Sequence, residues 1–135
     1  MPEIPAGRIE LKLILPMLIM EVRKTRWGSS HLHALNEDGI TIKTLVVFPN
    51  ECTSFQYHNN RYEFWHAIEP VKIIKEDKEI TLKKGDFVLI PKQAKHRLIG
   101  MDNPSIVTEI SFGDFSEEDI VRIEDKYGRV EKYNF

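Results

Sequence analysis

At 135 residues, 41% of them apolar, the chain is long enough for one domain with a real core and needs no disulfide or metal to fold. Its 19 basic and 21 acidic residues leave a net charge of −2, and the basic ones are scattered, which excludes a nucleic-acid footprint. The lone cysteine, Cys52, excludes an intrachain disulfide and asks for no oxidising compartment, so a cytoplasmic protein is expected.

Residues 1–7 form a Pro-rich lead-in, and Arg8 to Val22 reads as one or two strands interrupted at Pro16. The apolar run Leu11 to Met20 is too short to span a membrane and carries Lys12 and Pro16. It also lacks the basic start and small-residue cleavage site of a signal peptide. Such a strand hides its edge against a second copy, so residues 1–22 are expected as an arm at a homodimer interface.

Lys24 to Ser30 is polar apart from Trp27, which is expected to plug a barrel end. Asn36-Glu-Asp-Gly39 is a turn, Ile40 to Phe48 a strand, and Pro49-Asn-Glu51 a turn into a strand from Cys52 to His58. Strands Tyr62 to Glu69 and Val71 to Glu76 bend at Pro70, and Asp77-Lys78 closes a hairpin into Glu79 to Leu82. Phe87 to Ile90, Lys95 to Ile99 and Ile106 to Phe112 complete the set, with Phe48, Phe55, Phe64, Trp65 and Phe87 expected in the core. Short strands parted by Gly, Pro, Asn and Asp indicate a barrel or sandwich rather than alternating strands and helices. Only the tail reads as helical, with Ser116 as N-cap, Glu117-Glu-Asp119 in the first turn and Gly128 near the stop.

The chemistry gathers around Gln56 and His58, which are two apart and so share a strand face. Asn59-Asn60 is turn chemistry, and a hairpin there returns Glu63 beside them. His96, beyond Phe87 to Ile90 and a Pro91 turn, is placed to join as a fourth donor. Two imidazoles, a carboxylate and an amide oxygen suit a divalent zinc, manganese, iron, cobalt or nickel ion. His31, His33 and His66 are expected to be structural.

Gln56-x-His58-x4-Glu63 and Gly85-x5-Pro91-x-Gln93-x2-His96 resemble the two motifs of a cupin. Ser54, Arg61, Trp65, Ile90-Pro91, His96-Arg97-Leu98 and the tail Glu118-Asp-Ile-Val-Arg122 through Tyr127-Gly-Arg129 resemble the cupin domain of type II mannose-6-phosphate isomerases. The resemblance implies an all-β, cupin-type double-stranded β-helix, a jelly-roll barrel with a short C-terminal helix, as one domain over 1–135. It implies a metal at Gln56, His58, Glu63 and His96, and interconversion of mannose 6-phosphate and fructose 6-phosphate through an enediolate. The partner is then a phosphosugar, with neither nucleic acid nor membrane involved.

Such a substrate calls for cations at its phosphate. Arg122 and Lys126, one helical turn apart, are expected there first, followed by Arg61 and Arg97. Glu109, on the last long strand, is the expected proton-moving base, with His66 behind it. The family's histidines are replaced here by Asn59, Asn60 and Phe64, and two of its glycines by Pro70 and Gln93. Asn59, Asn60 and Phe64 motivate a second reading, a non-catalytic binder of a sugar or sugar phosphate, and a sugar-nucleotide epimerase, another use of small sugar-processing barrels, is a third. No Gly-rich phosphate loop is present, so nucleotide transfer is not expected.

Overall fold

Alternation along each strand decides which side chains meet inside. In this computed structural model residues 21–126 are described, and they are almost wholly β. The strands are β1 (Glu21–Lys24), β2 (Gly28–Glu37), β3 (Ile40–Val47), β4 (Phe55–Tyr57), β5 (Arg61–Glu69) and β6 (Val71–Lys75). They continue as β7 (Lys78–Leu82), β8 (Phe87–Ile90), β9 (His96–Ile99), β10 (Ser105–Gly113) and β11 (Val121–Glu124). Two antiparallel sheets result, a six-stranded one in the order β1-β2-β3-β10-β5-β8 and a five-stranded one in the order β11-β4-β9-β6-β7. The jelly-roll expectation holds.

Register partners in an antiparallel pair share a face, so the inner surface can be read in rows. On the six-stranded sheet one row is Leu45, Val107 and Ala67, the next is Lys43, Glu109, Trp65 and Val88, and the third is Thr41, Ser111, Glu63 and Ile90. The interior therefore grades from apolar at one end to polar at the other. The five-stranded sheet answers with an apolar row, Leu98, Ile73 and Ile80, and a polar one, Arg122, Gln56 and His96. Trp27, Leu45, Val47, Ile73, Leu98 and Val107 belong to the buried core, each large apolar side chain there contributing about 1.5–3 kcal/mol. The polar end is where a site can be built.

Several expectations are corrected. The segment from Ser30 to Asn36, not assigned to a strand above, lies inside the ten-residue β2. Among the described residues the expected C-terminal helix is not formed. Ser116 does cap, its Oγ accepting from the Glu118 N–H at 3.2 Å, but only one 3-10 turn, Glu117–Asp119, follows. The alternating residues Val121–Glu124 then pair with the edge of β4, because a sheet edge offers a full ladder where a short helix offers a few bonds. Arg122 and Lys126 thus lose the helical face that was to unite them.

The aromatic expectation also fails in part. Trp65 is buried, but Phe48 and Phe87 are 46% and 57% exposed, and Phe64 stacks on Phe87 on the outer face of the sheet. Inner positions of β5 are taken by Arg61, Glu63, Trp65 and Ala67, and period-two alternation then sends Phe64 outward. Most of the N-terminal arm, residues 1–20, and the tail from Tyr127, with Gly128 and Arg129, lie outside the described residues. No described helix is long and apolar enough to cross a membrane.

Candidate metal centre

β4 and β5 do not form the expected hairpin; they belong to different sheets, and Asn59-Asn60 carries the chain across. Glu63 therefore meets the imidazoles across the interior rather than along a ladder. His58 Nε2 lies 3.4 Å from Glu63 Oε2, and His96 Nε2 lies 3.5 Å from Glu63 Oε1. All three residues are buried, and one ligand atom from each lies within 4.8 Å of the others. Gln56 is the register partner of His96 and lines the same cavity, its Oε1 accepting from Ser54 Oγ at 2.8 Å.

Backbone carbonyls fix both imidazoles. His58 Nδ1 is 3.1 Å from the Asp119 carbonyl oxygen, and His96 Nδ1 is 2.8 Å from that of Ala94. A carbonyl only accepts, so each Nδ1 carries the proton, which in a neutral ring leaves the Nε2 lone pair on the side of Glu63. Burial lowers the His58 pKa to about 3, with the Arg61 and His96 charges adding to the effect. The ring is held neutral, the form that binds metal.

Arg61 balances the carboxylate. Its Nε donates to Glu63 Oε2 at 3.1 Å, its Nη1 donates to the Ser116 carbonyl, and its Nη2 lies 3.4 Å from His58 Nε2. Ser111 Oγ adds a 3.4 Å contact to the same Oε2. Glu63 Oε1 and His96 Nε2, by contrast, are buried and have no hydrogen-bond partner. Leaving two such atoms unsatisfied costs roughly 1–3 kcal/mol each. A divalent cation between them satisfies both, and two imidazole nitrogens with a carboxylate fit zinc, manganese, iron, cobalt or nickel.

The cavity around the centre, of about 120 Å³, is lined by Gln56, Arg61, Glu63, His96, Glu109 and Arg122 among others. Glu109 sits in the row between Lys43 and Trp65 and accepts from Trp65 Nε1 at 3.3 Å. Burial pushes its pKa up to about 7, and the Glu63 charge pushes in the same direction. Arg97 and Lys126 are not brought into the cavity wall. Arg97 Nε donates to the Thr53 carbonyl at 2.8 Å while its guanidinium meets Glu124, bracing β9 against β11. Lys126 is exposed and bonded to Glu51 at 2.6 Å, a bond that raises its pKa.

His31 and His33 bond Ser29 Oγ and Thr44 Oγ1, and His66 stacks on Phe87 at 4.4 Å, outside the centre. Sequence reasoning missed Asp119, taken for an acidic helix start. It also missed Lys43, whose inward phase could have been read from the alternation Thr41, Lys43, Leu45, Val47.

Comparison with known proteins agrees with this architecture. A family model described as mannose-6-phosphate isomerase C-terminal matches residues 8–125. The chain is 34% identical over 95 residues to the mannose-1-phosphate guanylyltransferase ManC of Salmonella typhimurium, covering 66% of the chain and 19% of that protein. It is 32% identical over 92 residues to the xanthan biosynthesis protein XanB of Xanthomonas campestris, covering 66% of the chain and 20% of the relative. It thus spans about a fifth of the length of these curated relatives. The structure of KdgF from Halomonas sp. superposes with a TM-score of 0.65 at 11% identity, over 72% of this chain and 89% of that one, which shows a shared fold.

Proposed function

The chain belongs to the mannose-6-phosphate isomerase C-terminal family, and on that premise we propose that it interconverts an aldose phosphate and a ketose phosphate, mannose 6-phosphate and fructose 6-phosphate first among them. The observation that carries the reading is the pair of buried, unsatisfied atoms, Glu63 Oε1 and His96 Nε2, which face one another beside the Nε2 of His58. His58, Glu63 and His96 would hold a divalent ion, with Gln56 adjacent as a fourth donor. Such an ion supplies Lewis-acid stabilisation of negative charge developing on oxygen.

The remaining chemistry is assigned to side chains on the cavity wall. Glu109 is the base: a carboxyl with a pKa near 7 can take a proton from one carbon and return it to its neighbour at neutral pH. Trp65 Nε1–H fixes one of its oxygens. Arg122 and Arg61 add positive charge near the reacting end, and closure of the wall by Trp65 and Leu98 limits water.

Asn59, Asn60 and Phe64 leave this arrangement in place. Asn59 and Asn60 donate backbone N–H groups to Asp119, and Phe64 points out of the barrel. The guanylyltransferase name belongs to relatives about five times longer than the matching stretch, and nucleotidyl transfer is not part of the proposal. Pairing of two chains through the N-terminal arm and a cytoplasmic setting complete the reading; light scattering on purified protein tests the first.

The decisive experiment is a coupled assay on metal-loaded protein with both sugar phosphates. Turnover lost in Glu109→Gln and in His96→Ala is expected. If no metal supports turnover of either sugar, while the sugars still shift the melting temperature, the non-catalytic binding reading replaces this one.

A further inference from the structure

Lys43 is an unusual occupant of a barrel interior. It belongs to the inner row that runs from β3 through Glu109 to Trp65, and its side chain is only 15% exposed. An ammonium carries three N–H donors and strongly prefers acceptors when partly buried. Here its nearest carboxylate oxygen, Glu117 Oε1, is 3.8 Å away, beyond hydrogen-bond range. Its other neighbour is the face of Phe115, with the ammonium 4.2 Å from the ring centroid. Arg61 lies 4.0 Å from the centroid of the same ring but is committed to Glu63 and Ser116. Lys43 is thus a cavity-lining cation whose donors the described protein atoms do not use.

The same Glu117 oxygen lies 3.5 Å from Arg23 Nη1. One carboxylate therefore sits between two cations at the cavity wall, where all three residues take part in the lining. Glu117 is half exposed, on the three-residue turn between β10 and β11, and an exposed ion pair of this length contributes little. A doubly charged tetrahedral oxyanion would displace it at small cost and give Lys43 the acceptors it lacks.

We infer that Lys43, with Arg23 beside it, is the subsite for the phosphate end of the ligand, and that Glu117 is its built-in competitor, swinging outward when the phosphate enters. The inference rests on the phosphosugar reading above and adds to it where the far end of the substrate lies. β3 and β5 are separated by β10 and Glu63 lies one row along from Lys43, so the two stand two strand spacings and one two-residue step apart, roughly 12 Å. Glu109 lies on the strand between them, next to the strand of Glu63, so a substrate whose phosphate sits at Lys43 passes it on the way to its reacting end.

The test is calorimetric titration of the metal-loaded chain with mannose 6-phosphate, unphosphorylated mannose and inorganic phosphate, repeated on three variants. Lys43→Gln is expected to weaken both phosphate ligands by about tenfold or more, Lys43→Arg to restore most of that loss, and Glu117→Gln to tighten them several-fold. Metal content by elemental analysis should stay that of the wild type throughout. Equal affinity of wild type and Lys43→Gln overturns the inference, as does a wild type that binds the sugar phosphate no better than mannose. Phosphate held at the metal instead gives the first of these results. Lys43-dependent phosphate binding without turnover leaves the subsite standing and removes the isomerase reading; turnover with Lys43-independent affinity does the reverse. Since Glu117 is on an exposed turn, its variant remains informative even if changes at Lys43 impair folding.

Discussion

Asp119 grips His58 from two directions. Its carbonyl oxygen accepts from the ring Nδ1 at 3.1 Å, and its carboxylate accepts the backbone N–H groups of the next two residues, Asn59 and Asn60, at 2.9 and 2.8 Å. The turn that carries the chain between sheets is thereby locked to the turn ahead of β11. Replacing the carboxylate by an amide, Asp119→Asn, removes the charge and one of its two acceptors. A loss of about 1–3 kcal/mol in denaturant unfolding is expected. Metal affinity should fall roughly 10–100-fold, since the partner orienting a ligand imidazole is loosened. A metal titration that matches the wild type would show that the Asp119 carboxylate plays no part in orienting His58.

Glu63 faces both a cation of the protein and the place of a second. Glu63→Gln keeps its volume but strips the charge opposite Arg61, whose side chain is buried. Breaking a buried pair from one side typically costs about 3–5 kcal/mol, so the metal-free variant should unfold well before the metal-free wild type. Elemental analysis should find it without bound metal. Retention of stoichiometric metal would move the centre away from these residues.

The metal-free protein should show a concealed pH dependence. His58 has a folded pKa of about 3 against 6.5, so the unfolded chain binds more protons between those values and stability falls as pH falls. Glu109 has a folded pKa of about 7 against 4.5, so its contribution is complete below 4.5 and lost as pH rises toward 7. Between pH 4.5 and 6.5 the two slopes oppose. Glu109→Gln leaves only the first, and the variant should lose up to about 1.4 kcal/mol per pH unit on acidification through that window. Parallel stability curves for the wild type and variant would sink the assignment.

Gly113 adopts φ = +124°, and a Cβ there would run into the Asn60 carbonyl. Gly113→Ala combines backbone strain of order 1–3 kcal/mol with displacement of the crossing that leads from His58 to Arg61. Both the melting temperature and metal retention should drop. At Gly39 (φ = +78°) a Cβ meets nothing within 4 Å, so Gly39→Ala should lower only the melting temperature, and by less.

What could be read from the sequence follows the range of the forces involved. Ser116 as a cap and Asn59-Asn60 as a turn were legible because hydrogen bonds to neighbouring backbone groups are local. The destination of each segment was not. Asn59-Asn60 looks the same whether the chain folds back on β4 or crosses to the other sheet, and the pairing of β5 with β10 and β8 makes that choice. The tail carried a helix start but became β11 because β4 had an edge to fill. Phe64 was assigned to the core on hydrophobicity, whereas the burial of Arg61, Glu63 and Trp65 fixed the phase of β5 and turned it outward. His58, Glu63 and His96 were found from motif spacing, while Asp119 carries no spacing signal and Lys43 shows only the inward phase of its strand, its place beside Glu109 emerging once the sheets are closed.

His58 follows a strand of the five-stranded sheet and His96 belongs to another, while Glu63 comes from the six-stranded one. An ion gripped by all three is therefore a rivet through both leaves of the barrel. Whatever wedges the leaves apart loosens the ion, and withdrawing the ion frees the leaves to part, so chelation and mechanical opening act on a single latch.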